Sequence, residues 1–134
     1  MKKFFKHIEF CILRGFIAII PLVLCYFAVS LLYNLIDNAL KYSKDVPEIT
    51  ISTANKNGHV IIRVTDKGIG MSRDQQTKIF EQFYRIPTGN LHDVKGFGLG
   101  LSYVNTIVKR LDGTISVRSE KDKGSEFELK FPLV

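Results

Sequence analysis

Four polar side chains in the first third of the chain recur at helical spacing. They are, in chain order, Asn34, Asn38, Lys41 and Tyr42. Because they are three or four positions apart, they would lie on one face of a helix. Carboxamide oxygens can ligate a hard cation such as Mg²⁺, whose other ligands are then water and phosphate oxygens. A lysine beside them can neutralise a phosphate. The pattern fits a magnesium-phosphate site, and a solvated helix face would show the same spacing.

An acidic residue followed by two glycines stands directly after a β-type segment. Asp66, Gly68 and Gly70 form this D-x-G-x-G pattern. A carboxylate at a strand end can accept a hydrogen bond from an exocyclic amine such as that of adenine, and the glycines let the backbone approach a ligand closely. An ordinary Asp-Gly turn has the same residues, so this pattern alone is weak.

Alternating glycines open a predicted helix at residues 96–101, GFGLGL. Glycines there expose backbone N–H groups at the positive end of the helix dipole, where a phosphate can bind. The segment does not follow a strand, which excludes a dinucleotide-binding fingerprint. The sequence also lacks GxxxxGK[ST], which excludes a P-loop. A simple glycine hinge is the alternative interpretation.

The elements that must hold these motifs alternate between helical and strand periodicity, which predicts an α/β domain. Asn57-Gly58 is typical of a hairpin turn, and Ser72 is a candidate helix cap. The pattern predicts, in chain order, a helix ending before Pro47, strands 48–53 and 59–65, a helix over 72–84, a loop over 85–98, a helix over 99–113, and strands 114–119 and 125–131.

Composition excludes several classes of protein. The 134 residues are 46% hydrophobic and 24% charged, which argues against wholesale disorder. The two cysteines form neither a CxxC pair nor a cluster with histidine, so a structural zinc site or a disulfide framework is not expected. The net charge of +6 would by itself permit a nucleic-acid or a membrane partner.

The N-terminal part differs in character from the rest. Residues 1–14 are basic, and residues 15–36 form a run of 22 uncharged, mostly apolar residues. About 20 such residues can cross a bilayer as a helix, so one interpretation is a membrane anchor with contact over residues 12–30. The other is a very apolar core helix. We therefore divide the chain into residues 1–29 and a domain over residues 30–134.

In their order, the motifs of residues 30–134 resemble those of the catalytic and ATP-binding domain of sensor histidine kinases, which shares the Bergerat fold with gyrase-type ATPases. The segments NLIDNALKYS, DKGIGM, IFEQFYR and GFGLGL resemble the family's N, G1, F and G2 boxes, and GSEFELKFPL its closing strand. The pairing of NAxKYS with FExFYR is specific to histidine kinases. The resemblance implies a two-layer sandwich with a mixed, mostly antiparallel sheet and helices on one face.

The resemblance also implies roles for individual residues. Asn38 would ligate Mg²⁺ with Asn34 beside the metal and phosphates, and Arg85 would reach toward the γ-phosphate. Asp66 would bind the adenine amine, while Phe80 and Phe83 would pack at the base of a mobile ATP lid. The remaining nucleotide-binding residues implied are Lys41, Tyr42, Gly68, Gly70, Gly96, Gly98, Leu99, Gly100 and Ser125.

The implied activity is phosphoryl transfer from Mg-ATP to a histidine on a separate dimerisation domain, with a response regulator as a further partner and no nucleic acid. In this family the acceptor histidine belongs to a His-Glu pair that is followed by Arg-Thr-Pro. His7 lacks this following Arg-Thr-Pro, so it is not the expected acceptor. Residues 1–29 do not resemble the family, so they are either an anchor fused to a truncated kinase or a substitute for missing elements of the domain. A truncated or recombined reading frame would explain this segment. The chain would lie at the cytoplasmic face of the inner membrane if residues 12–30 insert, and otherwise in the cytoplasm. Two alternatives stay open: a non-catalytic nucleotide-binding or partner-binding remnant, and a serine kinase of the anti-sigma type.

Overall fold

The computed structural model describes residues 23, 25–44, 46–87 and 96–133. The chain divides into two compact units, Met1–Leu32 and Tyr33–Val134. The basic leader and most of the predicted membrane contact at residues 12–30 lie outside the described residues. Among the helices of the described residues, none is long and apolar enough to cross a membrane.

Three helices carry residues of the motifs. Residues 25–41 are helical (α1), followed by α2 at Arg73–Lys78 and α3 at Gly100–Arg110. The predicted cap of α2 is confirmed, because the Ser72 hydroxyl accepts the Gln75 N–H while the Gln75 side chain accepts the Ser72 N–H.

Four strands form one sheet in the order β1-β2-β4-β3. They are β1 Ile49–Lys56, β2 His59–Asp66, β3 Thr114–Glu120 and β4 Gly124–Pro132. All three pairings among these strands are antiparallel. The β1–β2 turn uses Asn57 at φ 51° and Gly58 at φ 69°, the left-handed pair that a two-residue type I′ hairpin requires.

The register separates an apolar inner face of the sheet from a polar outer face. On the inner face, Val64 lies opposite Phe127 on β4, and both are buried. The apolar stripes of the helices contribute buried Leu35, Val104 and Val108 to the core of the Tyr33–Val134 unit. On the outer face, Arg63 and Glu128 form an ion pair between β2 and β4. The predicted α/β class and two-layer arrangement are confirmed.

The helix predicted over residues 72–84 is too long. It ends at Lys78, and the Glu81 N–H bonds to the Lys78 carbonyl in a tighter turn. Phe83 then adopts φ 65° and donates its N–H to the Gly98 carbonyl. Helical periodicity depends on neighbouring residues alone. The contact with Gly98, which is distant in sequence, therefore overrides the helix that this periodicity predicts.

Candidate functional site

A cavity of ≈ 270 Å³ lies in the Tyr33–Val134 unit. Its walls come from α1, the segment after β2, the segment before α3, and the first residues of β4. Every residue predicted for the site lines it except Gly68: Asn34, Asn38, Lys41, Tyr42, Asp66, Gly70, Arg85, Gly96, Gly98, Leu99, Gly100 and Ser125. The three motifs are thus brought to one place, although Asn34 and Gly100 are 66 positions apart in the sequence.

Asp66 forms the buried acidic end of this cavity. Its side chain is 8% exposed, and Oδ1 accepts the Gly68 N–H at 2.8 Å. The backbone N–H of Ser125 also bonds to the carboxyl. Burial raises the pKa of Asp66 above its ordinary 3.8, and the two backbone hydrogen bonds oppose that rise. Gly68 is therefore a hydrogen-bond partner of Asp66 and not part of the cavity wall.

The pKa of Asp66 predicts how the stability of the ligand-free chain depends on pH. Because the folded pKa is raised, the contribution of Asp66 is fully present below the unfolded pKa and is lost as pH rises through the folded pKa. Asp66→Asn has no such loss. As pH rises from 3.8 toward neutral, the wild type should therefore lose stability relative to Asp66→Asn. The free energy of unfolding of Asp66→Asn minus that of the wild type should increase over this range. Urea unfolding at stepped pH measures it, and a difference that falls over this range would contradict the assigned environment.

The loop after β2 is held tightly from both sides. On one side the Ile69 N–H bonds to the Tyr42 carbonyl at 3.0 Å, and on the other the Asp122 N–H bonds to the Ile69 carbonyl at 2.7 Å. Gly70 has φ 62°, and a Cβ built on it would lie 1.9 Å from the Glu120 carbonyl oxygen. The close approach of the β3–β4 turn therefore requires glycine at this position.

The opposite end of the cavity is lined by amides, a lysine and the N-terminus of α3. Asn38 Nδ2 is buried and has no hydrogen-bond partner in the described part of the chain. A Cβ built on Gly100 would lie 3.0 Å from Asn34 Oδ1, so the first turn of α3 approaches α1 closely. Leu99, which directly precedes α3, makes no side-chain cap hydrogen bond. This end therefore offers backbone N–H groups and a buried amide without a partner.

These donors fit a polyphosphate that carries a cation. A buried amide without a partner is costly. A ligand would satisfy it through the nitrogen to a phosphate oxygen or, with the amide turned, through the oxygen to a cation. No group of three or more His, Cys, Asp or Glu that could hold a metal occurs among the described residues. Mg²⁺ commonly takes phosphate oxygens and water as its other ligands.

Sequence reasoning missed one charged residue of the site and most of its apolar wall. Asp37 lines the cavity and forms an ion pair with Lys41 at 2.5 Å. Its position four residues before Lys41 was the available signal. Apart from the predicted Leu99, the apolar lining carries no chemical signature in the sequence and comprises Ala39, Ile69, Met71, Ile79, Tyr84, Ile86, Phe97, Leu101 and Phe127.

The two phenylalanines expected at the base of a lid differ from one another. Phe80 is half-buried, whereas Phe83 is 70% exposed. The positive φ of Phe83 takes this residue out of the helical phase that its spacing predicted. The middle of the expected lid, residues 88–95, lies outside the described residues.

Comparison with known proteins places the chain among ATPases and sensor kinases. The family model described as "Histidine kinase-, DNA gyrase B-, and HSP90-like ATPase" matches residues 27–134. The chain is 44% identical over 107 residues to the sensor protein RprX of Bacteroides fragilis, covering 78% of this chain and 21% of RprX. It is 39% identical over 104 residues to the sensor protein CiaH of Streptococcus pneumoniae, covering 78% and 23%.

Solved structures agree with this grouping. The mycobacterial sensor histidine kinase MprB superposes with a TM-score of 0.66 at 25% identity, over 77% of this chain and 68% of MprB. Full-length ShkA, solved in complex with AMPPNP, gives a TM-score of 0.68 at 27% identity, over 79% and 21%. This chain spans about a fifth of the length of the curated relatives named above.

Proposed function

Because the chain belongs to the histidine kinase-, DNA gyrase B- and HSP90-like ATPase family, we propose that its cavity binds Mg-ATP and presents the γ-phosphate to a histidine acceptor. The family model, the curated relatives and the structural neighbours confirm the predicted histidine kinase-type ATP-binding domain. The observation that carries the proposal is the pairing of two ends in one cavity. A buried carboxylate stands at one end. At the other, beside the N-terminus of α3, stands a buried amide nitrogen that has no partner among the described residues.

The acidic end suits an adenine base. An ionised carboxylate only accepts hydrogen bonds, so Asp66 matches the exocyclic amine of adenine and opposes a carbonyl at the same ring position. The backbone N–H groups of Gly68 and Ser125 hold the carboxyl in place. Tyr42 and Gly70 would line the base beside it.

The opposite end suits the phosphates. The N-terminus of α3, at Gly98, Leu99 and Gly100, would donate backbone N–H groups to phosphate oxygens, as helix N-termini do. Lys41 would add a positive charge, with Gly96 on the same side: a Cβ built on Gly96 would lie 3.8 Å from the lysine nitrogen.

Magnesium would be held by Asn38 together with phosphate oxygens, with Asn34 beside it. Bound Mg²⁺ would withdraw charge from the phosphate oxygens and so favour transfer of the γ-phosphoryl group. Arg85 lines the cavity and would reach the γ-phosphate. Phosphoryl transfer needs little covalent chemistry from the protein, so orienting and neutralising the phosphates is the main work of these residues.

The acceptor and the remaining partners belong to the proposal. We infer a histidine on a dimerisation domain as the acceptor and a response regulator as the next recipient, since the relatives are named sensor proteins. We retain the division into residues 1–29 and 30–134. Localisation at the cytoplasmic face of the inner membrane would follow from insertion of residues 12–30.

Transfer to an added acceptor tests the activity. The chain is mixed with an isolated dimerisation domain from a sensor kinase relative and with ATP labelled at the γ-phosphate. Acid-labile, base-stable label on the domain's histidine is the expected result. ATP binding without any label would indicate a nucleotide-binding module without transfer, and acid-stable label on an added serine substrate would indicate a serine kinase.

The role of Asn38 predicts a magnesium-dependent loss. Asn38→Ala should weaken ATP binding about tenfold in the presence of Mg²⁺, because one ligand of the cation is removed, and much less in the presence of a chelator. Titration calorimetry under both conditions measures the two ratios. Asn55→Ala, on exposed β1, is the matched control. Equal losses with Mg²⁺ and with chelator would contradict the metal role.

A further inference from the structure

Ser119, which does not line the cavity, connects three parts of the base-binding end. Its hydroxyl oxygen accepts the Met71 N–H at 2.8 Å, which fixes the end of the loop after β2. The same hydroxyl donates to the Gly124 carbonyl at 2.8 Å. It also lies 3.0 Å from the hydroxyl oxygen of Ser125. Ser119 and Ser125 are directly opposite on β3 and β4, and Ser125 is in turn opposite Asp66 on β2.

A proton count fixes the direction of the hydrogen bond between the two serines. A serine hydroxyl has one donor and two acceptor positions. The donor of Ser119 is used by the Gly124 carbonyl and one acceptor by the Met71 N–H. The contact with Ser125 can then form only if Ser125 donates its proton to Ser119. Because its only proton is then used, the Ser125 hydroxyl can only accept hydrogen bonds from groups in the cavity that it lines.

We propose that Ser119 is a positioning residue that makes the base-binding end an acceptor-only surface and so selects a 6-aminopurine nucleotide over a 6-oxopurine nucleotide. The inference rests on the proposed ATP site. With the Ser125 proton held by Ser119, both Asp66 and Ser125 face the base as acceptors. An amino group at ring position 6 satisfies them, and a carbonyl there meets only acceptors. When the buried polar groups of a site pair with one base, the same groups stay unpaired when the other base binds.

Gln76 ties α2 into the same arrangement. Its side-chain amide donates to the Ser119 carbonyl at 2.9 Å and to the Met71 carbonyl at 3.2 Å. The backbone on both sides of the Ser119–Met71 hydrogen bond is therefore held independently of the hydroxyl. Removing the hydroxyl should release the Ser125 proton and leave the loop in place.

Inosine triphosphate is the probe for this inference, because it differs from ATP only at the base, with a carbonyl in place of the amine at position 6 and a hydrogen on N1. In Ser119→Ala the Ser125 hydroxyl becomes free to donate to that carbonyl. The ratio of ATP affinity to inosine triphosphate affinity should fall about tenfold, the size expected of one hydrogen bond gained and one weakened. Titration calorimetry on the full chain with both nucleotides measures this ratio.

Three further variants make the test specific. Ser116→Ala, exposed on the same strand, should leave the ratio unchanged. In a Ser125→Ala background, adding Ser119→Ala should change the ratio no further, because Ser119 acts through Ser125. Ser119→Cys keeps the size of the side chain with a weak donor and acceptor. Ser119→Cys should also lower the ratio of ATP affinity to inosine triphosphate affinity. It replaces Ser119→Ala in the test if the alanine variant unfolds.

Failure of this inference differs from failure of the proposed function. A folded wild-type chain that binds neither nucleotide would overturn both. A wild-type chain that binds ATP, together with Ser119 variants whose ratio equals that of the wild type, would overturn the inference alone. A further drop on adding Ser119→Ala to Ser125→Ala would also overturn it, since Ser119 would then act by another route.

Discussion

Replacing Asp66 by asparagine is expected to weaken ATP binding about 100-fold while the chain stays folded. The asparagine carbonyl can still accept the Gly68 N–H, so the local hydrogen bond survives. Its amino group, however, would face the adenine amine, donor against donor. Because burial already disfavours the charged carboxylate, its removal should not cost ligand-free stability at neutral pH.

The measurement is a calorimetric titration of Mg-ATP into Asp66→Asn, accompanied by a thermal melt. Asp112→Asn removes the same charge from an exposed position after α3 and should bind like the wild type. If Asp66→Asn bound ATP with the affinity of the wild type, the carboxylate would not contact the base, and the orientation proposed for the nucleotide would be wrong.

Replacing Gly70 by alanine should destabilise the fold severely, by about 4 kcal/mol. The new Cβ would lie 1.9 Å from the Glu120 carbonyl oxygen and 3.2 Å from that of Gly124. Since both atoms belong to the backbone of the β3–β4 hairpin, relief would require the loop and the hairpin to separate. The positive φ of Gly70 adds further strain for any residue with a Cβ.

Gly58→Ala is the matched control. Gly58 has nearly the same backbone angle, φ 69° against 62°, but its Cβ would meet no atom within 4 Å. Only the cost of the left-handed conformation should appear, about 1 kcal/mol. Urea unfolding curves of both variants give the two free energies. Equal destabilisation would mean that the close approach at Gly70 contributes nothing beyond backbone strain.

Much of the site could be predicted from the sequence because its residues carry local signatures. The helical spacing of Asn34, Asn38 and Lys41 and the place of Asp66 before two glycines made these residues candidates, and the order of all the motifs together gave them their roles. The Asn57-Gly58 turn and the Ser72 cap are likewise local, and both are confirmed.

What the sequence did not predict depends on contacts between distant segments. The early end of α2 follows from the hydrogen bond between Phe83 and Gly98. The fixed direction of the Ser125 hydroxyl depends on Ser119, Met71 and Gly124 meeting in space. A serine on an alternating strand has no property that distinguishes such a role beforehand.

This chain should form an Mg-ATP site by itself, and a single titration is decisive. Mg-ATP is titrated into the purified full chain, held in mild detergent because of its apolar N-terminal run, with circular dichroism confirming the fold. We expect saturable binding of one nucleotide per chain that is displaced by ADP. A folded chain that releases no heat and shows no saturation with Mg-ATP would contradict it.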